Sequence, residues 1–592
     1  MINMGKVDNS KSIDTNVTDT NYQMFLIQLR NWLSFNHKTP SFFKAVGKVL
    51  TTRFRYQISD KTKFCKEVPG EIILIQQYFI HEDAKRKREL QQCLQYNNSN
   101  KHIDKIILLN ERIYSDQELG ISSSKIVQID ISERLTYKKV FEYIQQLGDD
   151  KYIVLTNADI FFDATLKRIK NAGLTQNRKA FSLLRYEYKE GTSLKDCKLF
   201  GPRPDSQDSW IWHNNLKFSS KFLNILNFKL GTPGCDNKFI YCLNILGVAC
   251  YNEPLLIKTY HHHNSLLRNQ NKQDLVQKPY YAIFPVLSNQ SSAHDTQTFD
   301  IIRENISLFN YLTSKMKKDK PFIIPRIQGV ENEVAVLGAI ATQGTPHEDL
   351  LKKLPQTIST MKTNAGISLE NLDDCIVYSK LYLNAFKKCE RYGWWEPWGN
   401  VVQYIPQSFD FIVTNFEKPK IDSITFDIFH HINRNPWTHA LRGKRILIIS
   451  AFIESIKDKI PIKDKIYGID LFPECTFVFL KPPQTQAGNP SRHFKIELNE
   501  FIENINAIKD TFDVALCACG GYANPICAAI YDMNKSAIYV GVVLQMFFGI
   551  YGQRWLKERP EIMRMYLNKH WSRPKKNEQP INHMLIETGC YW

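Results

Sequence analysis

The stretch Tyr152-Ile153-Val154-Leu155-Thr156-Asn157-Ala158-Asp159 is an apolar run that ends in polar residues. A buried strand with that ending delivers its last residues to the edge where open α/β sheets hold their ligands. A carboxylate at such an edge suits a hard divalent cation, which often takes one or two protein carboxylates and completes its shell with phosphate oxygens and water. The same residues also suit a plain Asx turn. Further along, Lys258-Thr259-Tyr260-His261-His262-His263-Asn264 follows a strand-like run over 255–257 and offers imidazoles. Neighbouring side chains on an extended chain point to opposite sides, so one or two of the three histidines reach any one site.

Between these lies Leu230-Gly231-Thr232-Pro233-Gly234-Cys235-Asp236-Asn237-Lys238, a tight glycine turn that presents Asp236 where a helix over about 238–246 begins. Asp236 there is either a helix cap or a carboxylate for acid–base work. Asp208, Trp210 and Trp212 fall together in Arg203-Pro204-Asp205-Ser206-Gln207-Asp208-Ser209-Trp210-Ile211-Trp212. Carboxylates beside aromatic rings grip sugars, and a buried aromatic cluster with a capping Asp is the competing reading. Arg134 is a candidate contact for a diphosphate or the member of a surface ion pair. In the second half, Val514-Ala515-Leu516-Cys517-Ala518-Cys519-Gly520-Gly521-Tyr522 runs from a strand into a double glycine and then a helix from about Asn524. Amides at such a helix start cradle phosphate, and the missing third glycine argues against a dinucleotide-binding dehydrogenase. Cys517 and Cys519 read as core residues.

The elements that must position these groups are strands alternating with helices. Ile72–Ile75, Ile106–Leu109, Ile126–Ile129 and Tyr152–Leu155 recur between amphipathic stretches, and a second set follows at Ile446–Ile449, Thr476–Phe479, Val514–Leu516 and Ala537–Val540. Apolar strands separated by helices predict largely parallel sheets covered on both faces, an α/β class. We divide the chain into a leader with accessory helices (1–65), a first α/β domain (66–275), a Gln/Asn/Ser-rich linker (276–319) and a second α/β domain (320–592). The 592 residues are 43% apolar and carry 77 basic against 60 acidic side chains, a net charge of +17. That surplus favours phosphorylated or polyanionic partners. It is scattered, with dense runs only at 85–88 and 315–320, which argues against a dedicated nucleic-acid surface. Thirteen cysteines without a framework of spacings, and a polar start without an apolar leader, point to a reduced cytoplasmic setting. The uncharged run 536–553 holds three glycines and two glutamines and reads as a buried strand, turn and helix rather than a membrane span.

Taken in order, the first-half motifs resemble the GT-A type of nucleotide-sugar glycosyltransferase over about 71–268. The resemblance implies that Asn157-Ala158-Asp159 stands for that fold's Asp-x-Asp, with Asn157 in the nucleotide-sugar contact and Asp159 on Mn²⁺ or Mg²⁺. It further implies His261 or His263 as closing metal ligands and Asp236 as the base, with Asp208 as the alternative. Trp210 then serves the sugar, Arg134 the diphosphate, and Gln77 lies where the nucleotide base binds. Over about 320–592 the chain resembles the GT-D type: Pro325-Arg326-Ile327-Gln328-Gly329-Val330-Glu331-Asn332, Leu441–Arg445, Gly541–Trp555 and the ending Glu587–Trp592 occur in that family's order. Arg326 matches that family's Arg and Glu331 the Glu of its metal-holding Asp-x-Glu pair; with Gly520 and Gly521 of the double-glycine turn they are the second half's candidate nucleotide-sugar residues. Gly329 stands where the family carries the Asp of a metal-holding Asp-x-Glu pair, which leaves metal use there open. The pairing of halves is similar to glycosyltransferases of giant DNA viruses. The implied partners are a nucleotide-sugar donor and a glycan or glycoprotein acceptor, and each half adds a sugar if both are active. A non-catalytic glycan- or nucleic-acid-binding protein with degenerate transferase domains is the alternative.

Overall fold

The computed structural model describes residues 66–176, 178–201, 203–264, 275–277, 280, 281, 283, 285, 301–344, 348–394, 408–432, 435–487, 489–580 and 582–592. The expected leader helices (1–65) and most of the expected linker lie outside them. The chain forms two compact units, residues 1–243 with 248–299, and 244–247 with 300–592. Residues 301–318, assigned to the linker from sequence, form an 18-residue helix. Its apolar positions Leu308 and Leu312 are buried one turn apart, a spacing that the polar residues just upstream disguised.

The first unit is built on strands β1 (Glu71–Gln76), β2 (Lys105–Asn110), β3 (Ile126–Asp130), β4 (Lys151–Thr156), β5 (Ile160–Phe162), β6 (Lys179–Leu183), β7 (Tyr186–Tyr188), β8 (Lys198–Leu199), β9 (Ser209–His213), β10 (Ala249–Tyr251) and β11 (Thr259–His262). Seven of them make one sheet in the order β10-β6-β9-β4-β1-β2-β3. The β-branched centres of β1, β2 and β4 are buried on both faces, which is why these strands read as continuous apolar runs. The pairs β4/β1, β1/β2, β2/β3 and β6/β10 are parallel.

The expectation of a largely parallel sheet needs a correction at β9, which runs antiparallel to both β4 and β6. Its sequence, Ser-Trp-Ile-Trp-His, leaves open a sugar-gripping aromatic pair and a buried cluster, and the structure takes the second. Trp210 and Trp212 are fully buried, Trp210 edge-on to Tyr137 and Phe239 and Trp212 stacked on Phe141. Trp210 therefore packs the core and presents no face to a sugar. A small second sheet, β5-β11-β7-β8, lies beside the C-terminal end of β4. Its register sets His261 of β11 opposite Ile160 of β5 on one side and Glu187 of β7 on the other.

The second unit carries β12 (Ile323–Ile324), β13 (Tyr392–Trp394), β14 (Lys420–Asp422), β15 (Arg445–Ser450), β16 (Thr476–Leu480), β17 (Val514–Ala518) and β18 (Ser536–Tyr539). Five form an all-parallel sheet in the order β12-β18-β17-β15-β16, the arrangement expected of a nucleotide-binding α/β unit. The chain steps from β15 outward to β16, then crosses to the other side of β15 for β17. That switch opens a crevice at the C-terminal ends of β15 and β17. Among the described residues no helix is long and apolar enough to cross a membrane.

Trp210→Ala should cost the first unit about 3–5 kcal/mol, the usual price of emptying a large aromatic site. Urea unfolding followed by circular dichroism reads it; an unchanged midpoint would return Trp210 to the surface.

Candidate functional site

Asp159 follows β4 by a three-residue turn in which Ile160 N donates to Asn157 O at 3.3 Å. The Asp159 Oδ2 atom lies 3.3 Å from His261 Nε2 and 3.9 Å from His263 Nδ1. The alternation of an extended chain puts His261 and His263 on the side of Asp159. It turns His262 the other way, where its Nε2 donates to Gln92 Oε1 at 2.7 Å. Of the three histidines, then, the first and third reach the carboxylate. The strand that carries them begins at Thr259 rather than over 255–257, because Leu256 N and Ile257 N both turn back to Glu253 O.

Two residues that sequence reasoning missed complete the surroundings. Arg86, inside the dense basic run 85–88, is buried and forms an ion pair with Asp159 Oδ2. Its Nη1 also donates to Glu89 Oε2 at 3.0 Å and to His262 O at 3.1 Å. The buried positions of helix Ala84–Ser99 are Arg86, Glu89, Leu90, Cys93, Leu94 and Asn97, one continuous face at helical spacing. That periodicity was the available signal, and it singles out Arg86 from its neighbours. The second missed residue is Glu187, whose Oε2 accepts from His261 Nδ1 at 3.0 Å.

The electrostatics follow from burial and pairing. Burial opposes ionisation of Asp159, but the charges and hydrogen bonds of His261 and Arg86 outweigh it and hold the carboxyl well below the usual range. For His261, burial pulls the imidazole down, while Asp159 and Glu187 together raise it to about 9. Glu187, despite burial, is brought to about 2 by His261 and Arg185.

One oxygen and two imidazole nitrogens from Asp159, His261 and His263 lie within 4.8 Å of one another. Metal–ligand bonds of about 2.1 Å put neighbouring octahedral ligands about 3 Å apart, so the set fits a divalent ion. The mixed oxygen and imidazole donors suit Mn²⁺ better than Mg²⁺. Glu187 sits where a partner of a metal-ligating histidine belongs, fixing the tautomer that leaves Nε2 as the ligand.

A second carboxylate group lies on the same edge. Asp208 accepts from Asn157 Nδ2 at 2.9 Å and pairs with Arg185, which also donates to Glu187 at 2.8 Å. The preceding residue, Gln207, donates its N–H to Asp236 Oδ2 at 3.2 Å. Consecutive residues thus hold Asn157 and Asp236. Burial, with the nearby Asp208 adding to it, pushes the Asp236 carboxyl up to about 6 against the backbone hydrogen bonds that favour its charge. Arg134 donates to Leu230 O through Nε at 3.2 Å and Nη2 at 3.1 Å. Gly231, at φ +71°, allows that approach, since a Cβ there would lie 3.3 Å from Arg134 Nη2 and 4.0 Å from Asn157 Oδ1. Gln77 spends both ends of its amide on the Arg134 loop, accepting from Leu135 N at 3.0 Å and donating to Glu133 O at 3.0 Å. Its amide shapes that loop and is not turned to a base.

In the second unit, a cavity of about 540 Å³ brings together Arg326, Glu331 and Gly520. Gln328 ties them, donating to Glu331 Oε1 at 2.8 Å, to Gly520 O at 3.2 Å and to Tyr539 OH. Gly520, at φ +53°, lies so close to Ala365 O that a Cβ would come within 2.8 Å. Gly521 packs instead against Ile367, where a Cβ would meet Cγ1 at 2.4 Å, and it serves the fold rather than the cavity wall. Arg554, Glu587 and Tyr591 also line the cavity. They lie within 541–555 and 587–592, two of the segments that carry the second-half resemblance.

No family model matches the chain, and no curated protein matches it. Among solved structures, it is similar to a mannosyltransferase from Pyrobaculum calidifontis, described in complex with GDP-Man and Mn²⁺: TM-score 0.27, 10% identity, 38% of this chain and 66% of that one. A glycosyltransferase (DUF1792) from Streptococcus sanguinis aligns at TM-score 0.26 and 10% identity, over 46% of this chain and 94% of that one. A 4-diphosphocytidyl-2C-methyl-D-erythritol synthase from Anaerococcus prevotii aligns at TM-score 0.22 and 15% identity, over 35% of this chain and 92% of that one.

Titration of the full chain with Mn²⁺, read by electron paramagnetic resonance, should show one site that Asp159→Ala removes. Glu187→Gln should weaken it by about 10–100-fold, the usual effect of losing a ligand's hydrogen-bond partner.

Proposed function

We propose that the chain is a nucleotide-sugar-dependent glycosyltransferase, GT-A-like in its first unit and GT-D-like in its second, that passes a sugar to a glycan or glycoprotein acceptor. The observation that carries this reading is the Asp159, His261 and His263 donor set at the C-terminal edge of β4, joined through Asn157 and Asp208 to a carboxyl tuned for proton transfer. A bound Mn²⁺ would neutralise charge on the departing nucleoside diphosphate. Arg134 faces the same edge beside Asn157 and adds a fixed positive charge for the diphosphate. Asp208, held on one oxygen by Asn157 and on the other by Arg185, is immobilised as a hydrogen-bond acceptor for a donor-sugar hydroxyl. Arg185 therefore acts as a positioning residue that links Asp208 to Glu187.

Asp236 takes the proton of the attacking acceptor hydroxyl. A general base works best with a pKa near the working pH, and burial supplies that shift here. Its Oδ2 is aimed by the Gln207 N–H, so the carboxylate keeps one orientation while its other oxygen can accept the proton.

Purified full-length protein should release nucleoside diphosphate from one member of a sugar-nucleotide panel when Mn²⁺ is present. In an Arg326→Gln background, which disables the second unit, Asp159→Ala should abolish that release, and intact turnover would refute the assignment. Because Asp236 is competent only as carboxylate, kcat/KM should fall as pH drops through about 6. Asp236→Asn should lower the rate by about 10²–10⁴-fold and erase that acid limb.

A further inference from the structure

The cavity of the second unit raises a question of charge: which groups there face an anion such as a diphosphate? The resemblance implies an Asp-x-Glu metal pair, but Gly329 holds the Asp position and caps helix Val330–Gln343. The carboxylates present are Glu331, Glu333 and Glu587. Glu331 accepts from Gln328, and burial, with the nearby Glu587 and Glu333, pushes it up to about 7, which favours its neutral form. Glu587 is engaged at 3.0 Å by Arg554 Nη2. Among the described residues the cavity glutamates form no group of three ligand atoms in mutual reach, and for an ion that needs only one or two carboxylates Glu331, held by Gln328 and pushed toward its neutral form, and Glu587, paired with Arg554, are poor ligands. The residues here do not fit a resident metal.

What the cavity does present is guanidinium. Arg326 is locked from both sides of its backbone, N donating to Asn524 Oδ1 at 3.1 Å and O accepting from Asn524 Nδ2 at 2.9 Å. Its Nη1 donates to Val540 O at 2.9 Å, and no carboxylate among the described residues forms a salt bridge with it, although Asp427 lies near enough to feel its charge and that of Arg554. Gly541, at φ +79°, makes room: a Cβ there would lie 2.8 Å from that nitrogen. Arg554 donates to Tyr591 OH at 3.3 Å and pairs with Glu558 at 3.2 Å as well as with Glu587, and Trp592 is tied back by Gln553 N donating to its O at 3.1 Å. A rigid guanidinium fork matches phosphate oxygens in geometry as well as charge.

We propose that the second cavity binds a nucleoside diphosphate, free or carrying a sugar, through Arg326 and Arg554 and without a divalent cation. The proposal rests on the nucleotide-sugar reading of the second unit. It differs from that reading in assigning to two arginines the charge neutralisation that the first unit leaves to an ion.

The test uses the full chain carrying Asp159→Ala, which silences the first-unit cation site. Calorimetric titration with UDP, GDP, ADP, CDP and dTDP is run in Mn²⁺ and again in excess EDTA. One nucleotide should bind with affinities that agree within about threefold in the two conditions, and Arg326→Gln or Arg554→Gln should each weaken it about tenfold or more. Arg326→Lys and Arg554→Lys keep the charge but lose the fork. Weaker binding with an unchanged unfolding midpoint in these variants ties the loss to phosphate contact and not to misfolding. Binding that needs both arginines but disappears in EDTA would overturn cation independence and leave the nucleotide reading standing. Binding to none of the five, or binding indifferent to both arginines, would overturn the nucleotide reading and the proposal with it.

Discussion

Asp159 is a carboxylate taken largely out of water, and much of the first unit is arranged around that fact. An isolated buried ion costs several kcal/mol, so the fold has to supply compensating charge from elements far apart in sequence. It does so with Arg86 from helix Ala84–Ser99 and His261 from β11. Each compensating group needs its own partner: Arg86 is shared with Glu89, and His261 with Glu187, which in turn engages Arg185. From Arg185 the chain of contacts continues to Asp208 and Asn157, back at the end of β4. The result is a closed polar circuit in which losing one member strands a buried charge on the next. Such networks fix geometry tightly when every member is satisfied.

The small sheet β5-β11-β7-β8 exists in service of this circuit. Its strands are short, and β8 has only two residues. Yet pairing puts Ile160, His261 and Glu187 side by side, so that His261 reaches both Asp159, one residue before Ile160, and its own partner Glu187. A one-residue slip of β11 would turn His262 toward Asp159 and swing His261 and His263 away. Aromatic stacking of Phe161 on Tyr260, centroids 5.3 Å apart, and the hydrogen bond from Tyr260 OH to Asp163 at 3.0 Å oppose that slip.

What could be read in the sequence was whatever depends on one strand or one turn. The apolar runs of β1, β2, β4, β15 and β17 identify themselves because both faces are buried, and the polar ending of β4 marks Asp159 directly. The alternation rule limits the histidines to a subset, and the structure chooses His261 and His263. What could not be read depends on pairing between distant segments. Arg86 hides in a basic run because three of its neighbours are ordinary surface residues; only the helical face shared with Leu90, Cys93 and Leu94 sets it apart. Trp210 and Trp212 look like sugar-binding aromatics until β9 is inserted between β4 and β6, at which point both faces of the strand are covered. Glu187 carries no local signature at all, since its role comes from the register of β7 against β11.

The sheet edges of the two units present different charges, and the difference can be traced to what surrounds each. At the end of β4, a carboxylate and two imidazoles face one point, an arrangement that is itself charged and therefore requires an opposing cation, whether guanidinium or metal ion. At the ends of β15 and β17, the glutamates are dispersed, one engaged by Gln328 and pushed toward its neutral form, another engaged by Arg554. The Arg326 guanidinium donates to Val540 O and forms no salt bridge among the described residues, while Asp427 feels its charge from further off. A guanidinium placed that way has donors to offer an anion and no carboxylate to give up for it. An incoming phosphate would replace water rather than break an ion pair, which lowers the desolvation and rearrangement that binding must overcome. Gly329 fits this picture: an aspartate there would put a competing carboxylate three residues from Arg326, in the same cavity wall.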